Sequence, residues 1–255
     1  MPSYKHSGTF GDLVYSMCLA QHFGRGKFYL HLDQINWIGK HFYGSTPAAY
    51  HQGRMTEEDF EYMKDFMLAQ PYIEDFQILT KDTEITHNLD RFRNIFVGHP
   101  GNYIQCYAWS YNIMDTEQIK QLETTPWLTA TPKRIDGREF VVNRTERWLP
   151  NEQPINWQRW QAADMDNHAV FIGHENEYDS FVKSTGWKNC IYHPTKNLLE
   201  WAELISGADT FIGNQSVGLS LAVGLGKHYF CELRSDLPLE RNECYFPNIK
   251  VGKYF

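Results

Sequence analysis

The chain has 255 residues, of which 42% are hydrophobic, and a formal net charge of −7 at pH 7. This length suits two α/β half-domains of roughly 100–130 residues each. The acidic balance argues against wide contact with duplex DNA, because proteins that neutralise many phosphates usually carry net positive charge. The N-terminus has no apolar signal segment and no run of 18 apolar residues occurs, so we expect a cytoplasmic protein without a membrane span.

The five cysteines are spaced widely and none stands in a C-x-x-C pair. An odd number of separated cysteines indicates neither a disulfide framework nor a zinc site. We therefore expect buried free thiols, as in a protein of a reducing compartment.

The first elements form a strand–helix–strand unit. Residues 4–7 predict a short strand, and residues 8–12 a turn that contains two glycines. Apolar residues at helical spacing then run to Gly24, which ends the predicted helix. Residues 28–32 predict the second strand, which should pair with the first in parallel.

A second helix is expected to begin at Thr56, with acidic residues in its first turn and an end before Pro71. Residues 95–97 predict a short apolar strand that ends before the glycine-rich residues 98–101, and residues 117–122 a short helix.

Residues 124–136 contain two prolines and are interpreted as a linker. Beyond it, strands are expected at 140–142, 170–173, 210–213 and 228–231, with helices at 197–205 and 216–225, whereas 234–255 is irregular. This alternation is typical of a parallel sheet covered by helices. We predict one half-domain over residues 1–132 and a second over 133–255.

The first candidate site is the loop of His6, Gly8, Gly11 and Asp12. Asp12 follows the carboxyl end of the first strand, where open α/β sheets bind ligands. Its carboxylate could accept a proton from an attacking hydroxyl. The alternative, which geometry alone leaves open, is that Asp12 only caps the helix.

The second candidate site follows the strand at 140–142 and comprises Asn143, Arg144, Thr145 and Arg147. Arginine guanidinium groups bind phosphate oxygens in a bidentate manner, which suits a departing diphosphate. The alternative is that both arginines lie on the surface and pair with Glu146 or Glu152.

The third candidate follows Gly173, where Glu175 or Glu177 could bind the hydroxyls of a ribose. Both acids could instead simply favour the first turn of a helix.

The fourth candidate comprises Gln215, Ser216 and Val217, which lie between a strand and an apolar helix. A helix N-terminus presents free N–H groups to an anion. The alternative is that Ser216 only caps the helix, since serine is a common residue at the start of any helix.

Taken in order, these segments resemble glycosyltransferases of the B fold, and within them the ADP-heptose lipopolysaccharide heptosyltransferases, in a compact form of bacteriophage type. Gly11-Asp12 before an apolar helix is similar to the family's N-terminal Gly-Asp. Residues 208–213 through 226–227 are similar to its C-terminal donor motif. The chain departs from that motif at Gln215 and Ser220, where the family has an acid and a histidine.

The resemblance implies two Rossmann-like α/β half-domains that face each other across a cleft. It implies an inverting transfer from a nucleoside-diphosphate sugar, with Asp12 as the base and Arg147 in place of the family's phosphate-binding lysine. The acceptor could be a glycan or a modified nucleobase, and no cofactor or metal is expected. The acids of Asp164-Met165-Asp166 are interpreted as surface residues.

Two other classes of function remain open at this stage. One is a nucleotide-sugar epimerase of the same fold, which would turn over a donor without an acceptor. The other is a non-catalytic nucleotide or glycan binder, which the changes at Gln215 and Ser220 would suit.

Overall fold

The computed structural model describes residues 1–32, 55–96, 101–146, 155–233, 244–246 and 250–251. These residues form two separate parallel β-sheets, one of four strands and one of six, with helices packed around them. The prediction of two Rossmann-like α/β units is confirmed.

The first sheet is built from the N-terminal part of the chain. Its strands are β1 (Ser3–His6), β2 (Gly26–Leu30), β3 (Ile73–Ile78) and β4 (His87–Asn88), in the order β3-β2-β1-β4. The helices of this half are α1 (Phe10–Phe23), α2 (Glu57–Leu68), α3 (Phe92–Phe96), α4 (Tyr103–Ser110) and α5 (Thr116–Thr124). The expected strand at 95–97 is wrong where it can be compared, because residues 95 and 96 belong to α3.

The second sheet is built from the C-terminal part of the chain. Its strands are β5 (Phe140–Asn143), β6 (Ala169–Ile172), β7 (Ile191–His193), β8 (Thr210–Asn214), β9 (Tyr229–Glu232) and β10 (Lys250–Val251). The helices of this half are α6 (Trp157–Ala162), α7 (Glu175–Thr185), α8 (Leu198–Gly207) and α9 (Val217–Gly224). The strand order β7-β6-β5-β8-β9-β10 is that of a dinucleotide-binding sheet.

The helix that was expected from Thr56 forms because its first turn is satisfied by side chains. The Thr56 hydroxyl accepts a hydrogen bond from the Asp59 N–H, and the Asp59 carboxylate accepts one from the Thr56 N–H. Such a capping box satisfies two N–H groups that the helix itself leaves free. The apolar stripe of α2 is buried, as predicted.

One continuous apolar core joins the two halves, because α1 packs directly against α9. The predicted linker takes part in this contact. Trp127 is 1% exposed and its indole N–H donates to the Val14 carbonyl oxygen in α1, while its backbone N–H donates to Gly224 in α9. Residues of the linker are thus packed between the halves.

All five cysteines are buried free thiols, as expected. Within the part of the chain that the structure describes, no helix has the length and apolar character needed to cross a membrane.

Candidate active site

Both sheets place their predicted site residues at a topological switch point. In a parallel sheet, ligands bind beyond the carboxyl ends of two neighbouring strands whose connections leave in opposite directions. Here those pairs are β1 with β4, and β5 with β8. Asp12 follows β1, Asn143 ends β5 and Ser216 follows β8, so the structure brings three of the predicted segments to these two edges.

Asp12 lies in the first turn of α1, and the residue that caps this helix is Thr9. Its carboxylate Oδ2 is 3.2 Å from a terminal nitrogen of Arg93, and the side chain is 16% exposed. Asp12 therefore serves as the partner of a cation at the edge of the sheet rather than as the helix cap.

A chain of hydrogen bonds fixes the loop that carries Asp12. The Gly8 N–H donates to His6 Nδ1 at 2.7 Å, so the ring proton is on Nε2, which lies 2.9 Å from the Tyr107 hydroxyl. That hydroxyl donates to the backbone carbonyl of Asp12 at 2.8 Å. Burial lowers the pKa of His6 to about 4, so the ring is neutral at pH 7. His6 thus holds the loop in place without carrying a charge.

The two glycines of the loop have different environments. A Cβ on Gly8 would lie 2.3 Å from the His6 ring and 2.6 Å from the Arg93 guanidinium, so only glycine fits there. A Cβ on Gly11 would lie 4.0 Å from the hydroxyl of Ser220 in α9, an ordinary contact distance. The turn before Asp12 therefore meets the helix that follows β8.

Sequence reasoning missed Asp90 and Arg93, which lie just after β4. The Asp90 carboxylate accepts a hydrogen bond from the Ser7 N–H at 3.0 Å and pairs with Lys5 at 2.8 Å. Burial alone would raise the pKa of Asp90. Lys5, Arg93 and His6, which becomes protonated in the acid range where Asp90 titrates, outweigh burial and lower this pKa to about 2. The i,i+3 spacing of Asp90 and Arg93 was the signal available, although it also occurs on ordinary helix surfaces.

On the other sheet, Ser216 links two strand ends. Its hydroxyl donates to Asn143 Oδ1 at 2.6 Å, and the Asn143 amide in turn donates to the Ile172 carbonyl at 2.9 Å. Ser216 occupies the cap position of α9 but makes no side-chain cap bond to that helix. Ser216 thus stands at the start of the helix, as the alternative interpretation expected, while its hydroxyl binds Asn143.

Thr145 and Asn214 join the ends of β5 and β8. The Thr145 N–H donates to the Asn214 amide oxygen at 3.0 Å, and the Asn214 amide donates back to the Thr145 carbonyl at 2.7 Å. Gln215 is almost fully buried beside them, and Val217 is the first residue of α9. These bonds keep the β5 and β8 loops at a fixed separation.

Arg144 lies in a buried ion pair. Its Nε is 2.5 Å from Glu232 Oε2, at the end of β9, and its side chain is 5% exposed. The same carboxylate accepts from the Trp157 indole at 3.0 Å. The partner is neither of the two glutamates suggested by the sequence, and a contact between Arg144 and a diphosphate would require this pair to open.

Of the remaining predicted donor residues, Glu175 is exposed in the first turn of α7, and Glu177 accepts from the His174 N–H as part of the helix cap. Gly173, just before them, has φ +143°, a conformation that other residues rarely adopt. Arg147 lies outside the described residues.

Within the described ranges, no group of three or more His, Cys, Asp or Glu side chains could hold a metal ion. The acids Asp164 and Asp166 precede β6, at the end of the sheet away from both switch points. Asp164 is exposed, as expected, whereas Asp166 is 1% exposed, so its interpretation as a surface residue is wrong.

The arrangement of the two α/β units is similar to the fold of solved glycosyltransferases. Escherichia coli ADP-heptose lipopolysaccharide heptosyltransferase II is similar with a TM-score of 0.52 and 12% identity, over 98% of this chain and 90% of that one. A glycosyl transferase family 9 protein from Veillonella parvula is similar with a TM-score of 0.50 and 11% identity, over 98% and 85%.

No family model and no curated protein matches the sequence. At 11–12% identity, the likeness to these two structures establishes the fold. The resemblance noted in the sequence is confirmed at that level.

Proposed function

We propose that the protein is a glycosyltransferase that moves a sugar from a nucleoside-diphosphate sugar to an acceptor hydroxyl, with inversion at the anomeric carbon. The observation that supports this proposal is the packing of α1 on α9, which places Gly11, the neighbour of Asp12, within 4.0 Å of the Ser220 hydroxyl in α9. A carboxylate and a helix N-terminus are the groups needed at the two ends of such a transfer.

In the proposed reaction, Asp12 takes the proton of the acceptor hydroxyl. At the same time the oxygen of that hydroxyl forms a bond to the anomeric carbon. The bond from that carbon to the diphosphate breaks, and its electron pair stays on the diphosphate oxygen. The N–H groups and positive dipole end of α9 stabilise the negative charge that develops there. Preorganised hydrogen-bond donors of this kind commonly contribute the largest part of the rate acceleration by an enzyme.

The donor would bind along the strand ends of the second sheet. The bond between Ser216 and Asn143 fixes the start of α9 against the end of β5, and Thr145 and Gln215 lie next to these residues in the chain. Glu175, exposed at the end of β6, is suited to hydrogen bonds from ribose hydroxyls. Arg144 and Arg147 remain predicted donor ligands, the former on the condition that its ion pair opens.

The transfer is proposed to need no metal, and to take place in the cytoplasm. The printed names of the two similar proteins refer to a glycosyl transferase and to an ADP-heptose enzyme. We extend only the class of donor, a nucleoside-diphosphate sugar, to this chain. The acceptor would be a glycan or a modified nucleobase.

The first experiment establishes whether a donor binds. Thermal unfolding is measured with ADP, GDP, UDP and CDP, and a ligand at 100 times its dissociation constant should stabilise the protein by about 2.7 kcal/mol. Release of the nucleoside diphosphate from the matching sugar donor is then followed with oligosaccharide and hydroxymethylated nucleoside acceptors, with and without a chelator. If none of the four diphosphates raises the melting temperature, the donor site does not exist.

The second experiment tests the base. Asp12→Asn keeps the shape of the side chain but cannot accept the proton, so kcat/KM should fall by about 10²–10⁴-fold while donor affinity stays within about twofold. Asp82→Asn, an exposed acid in a distant turn, is the matched control and should leave transfer unchanged. Equal transfer rates for Asp12→Asn and wild type would show that Asp12 is not the base.

A further inference from the structure

Arg93 is fixed on several sides at the carboxyl edge of the first sheet. Its guanidinium lies 4.8 Å from the centre of the Phe92 ring, and its Nε is 3.8 Å from Asp90 Oδ1. The absent side chain of Gly8 makes room for it. From this position a terminal nitrogen reaches Asp12 Oδ2 at 3.2 Å. The contact is therefore built by the fold and does not depend on a mobile surface arginine.

Among the described residues, the charged groups around Asp12 come from two elements. On β1, Lys5 is 2.8 Å from Asp90, and His6 is neutral at pH 7 because burial lowers its pKa to about 4. The segment after β4 supplies Asp90 and Arg93, whereas α4 supplies the Tyr107 hydroxyl and α9 contains no charged residue. Within this described part of the chain, Lys5 binds Asp90 and Arg93 is the cation in direct contact with Asp12.

We propose that Arg93 is the positioning residue of the base: it holds Oδ2 of Asp12 and thereby leaves Oδ1 as the oxygen that takes the acceptor's proton. This inference rests on the proposed transfer reaction. In that reaction the proton moves from the acceptor oxygen to Oδ1, the acceptor oxygen bonds to the anomeric carbon, and the diphosphate leaves with the bonding pair. Arg93 exchanges no proton, and its fixed charge lies directly beside the carboxylate that accepts it.

The pH dependence of kcat/KM separates this role from a merely structural one. Arg93→Met removes the positive charge next to the carboxylate, so the acid limb of the profile should move to higher pH by about one unit. Arg93→Lys keeps the charge and should restore the position of that limb, with a lower kcat because lysine lacks the rigid guanidinium fork. Donor affinity should be unchanged in both variants.

Arg91→Met is the matched control, because Arg91 is exposed and its guanidinium lies 5.0 Å from the centre of the Tyr111 ring, away from Asp12. It should leave the acid limb in place. An acid limb that stays in place in Arg93→Met, in a variant that melts as a folded protein, would overturn the inference.

A readout without turnover separates this inference from the proposed function. The side-chain N–H resonance of Arg93, identified by its loss in Arg93→Lys, should shift in Asp12→Asn and stay in place in Asp82→Asn. A resonance insensitive to Asp12→Asn would overturn the ion pair itself, even if wild type transfers sugar. If the resonance shifts but wild type transfers no sugar to any acceptor, the proposed function fails and Arg93 is only a structural partner.

Discussion

The ion pair between Arg144 and Glu232 should be a major contributor to the stability of the second half. Arg144→Ala would leave the Glu232 carboxylate, which is fully buried, with the Trp157 indole as its described partner. Breaking a buried pair by removing one partner costs about 3–5 kcal/mol, because the remaining charge is desolvated without compensation. For a chain of this size, this corresponds to a melting temperature lower by roughly 6–20 °C.

Urea unfolding of the single and double variants would measure this coupling. Glu232→Gln should also destabilise the protein, because it leaves the guanidinium without its carboxylate. The double variant Arg144→Ala/Glu232→Gln removes both charges and should lose less stability than the two single changes added together. Two independent, additive effects would show that the pair does not form in solution.

The same variants decide what Arg144 does for the donor. If its only role is the ion pair, the double variant should bind the nucleoside diphosphate as wild type does. If the pair opens and the guanidinium binds a phosphate, affinity should fall by about 1.5–3 kcal/mol, or roughly ten- to a hundredfold. Wild-type stability in Arg144→Ala would refute the buried-pair argument and leave Arg144 free for the diphosphate.

Two further predictions concern stability. Gly173→Ala should cost about 1–3 kcal/mol in urea unfolding, because φ at this position is +143°, whereas Gly137→Ala, with φ +69° and open space around the Cβ, should cost less. Glu200 is held ionised: burial would raise its pKa, but hydrogen bonds from the Lys133 ammonium, a backbone N–H and His193 lower it to about 2. The stabilising effect of the Glu200 carboxylate should therefore be fully present above about pH 4.5 and be lost as the pH falls towards 2. The difference in free energy of unfolding between wild type and Glu200→Gln should accordingly be smaller at pH 3.5 than at pH 7.

The elements that the sequence predicted correctly are those with strong local patterns. β5, β6 and β8 are apolar runs, with a glycine just after β6 and one near the end of β8, and α2 has both a capping signal and an apolar stripe. Burial of both faces makes such strands read as continuous hydrophobic runs. Their order along the chain was enough to predict two α/β units.

The elements that were missed are edge strands, among them the six-residue β3, and helices without a clear stripe. β4 has two residues and β7 has three, and each lies at the edge of its sheet. A short edge strand buries few apolar residues, so its sequence contains no apolar run that would predict it. Arg93 and Asp12 are 81 positions apart, and they meet only because β4 pairs with β1. The chain segment with Asp12 could be predicted, but its charged partner depends on long-range pairing that local patterns do not encode.

Helix α9 has consequences for how such a protein can be recombined. Its eight residues carry no charge, and seven of them are buried between the second sheet and α1 of the first half. If the second half were joined to a different first half, this apolar surface would be exposed unless the new partner supplied a matching helix. Chimeras of this fold should therefore be cut so that α1 and α9 travel together, and either half produced alone should be prone to aggregation.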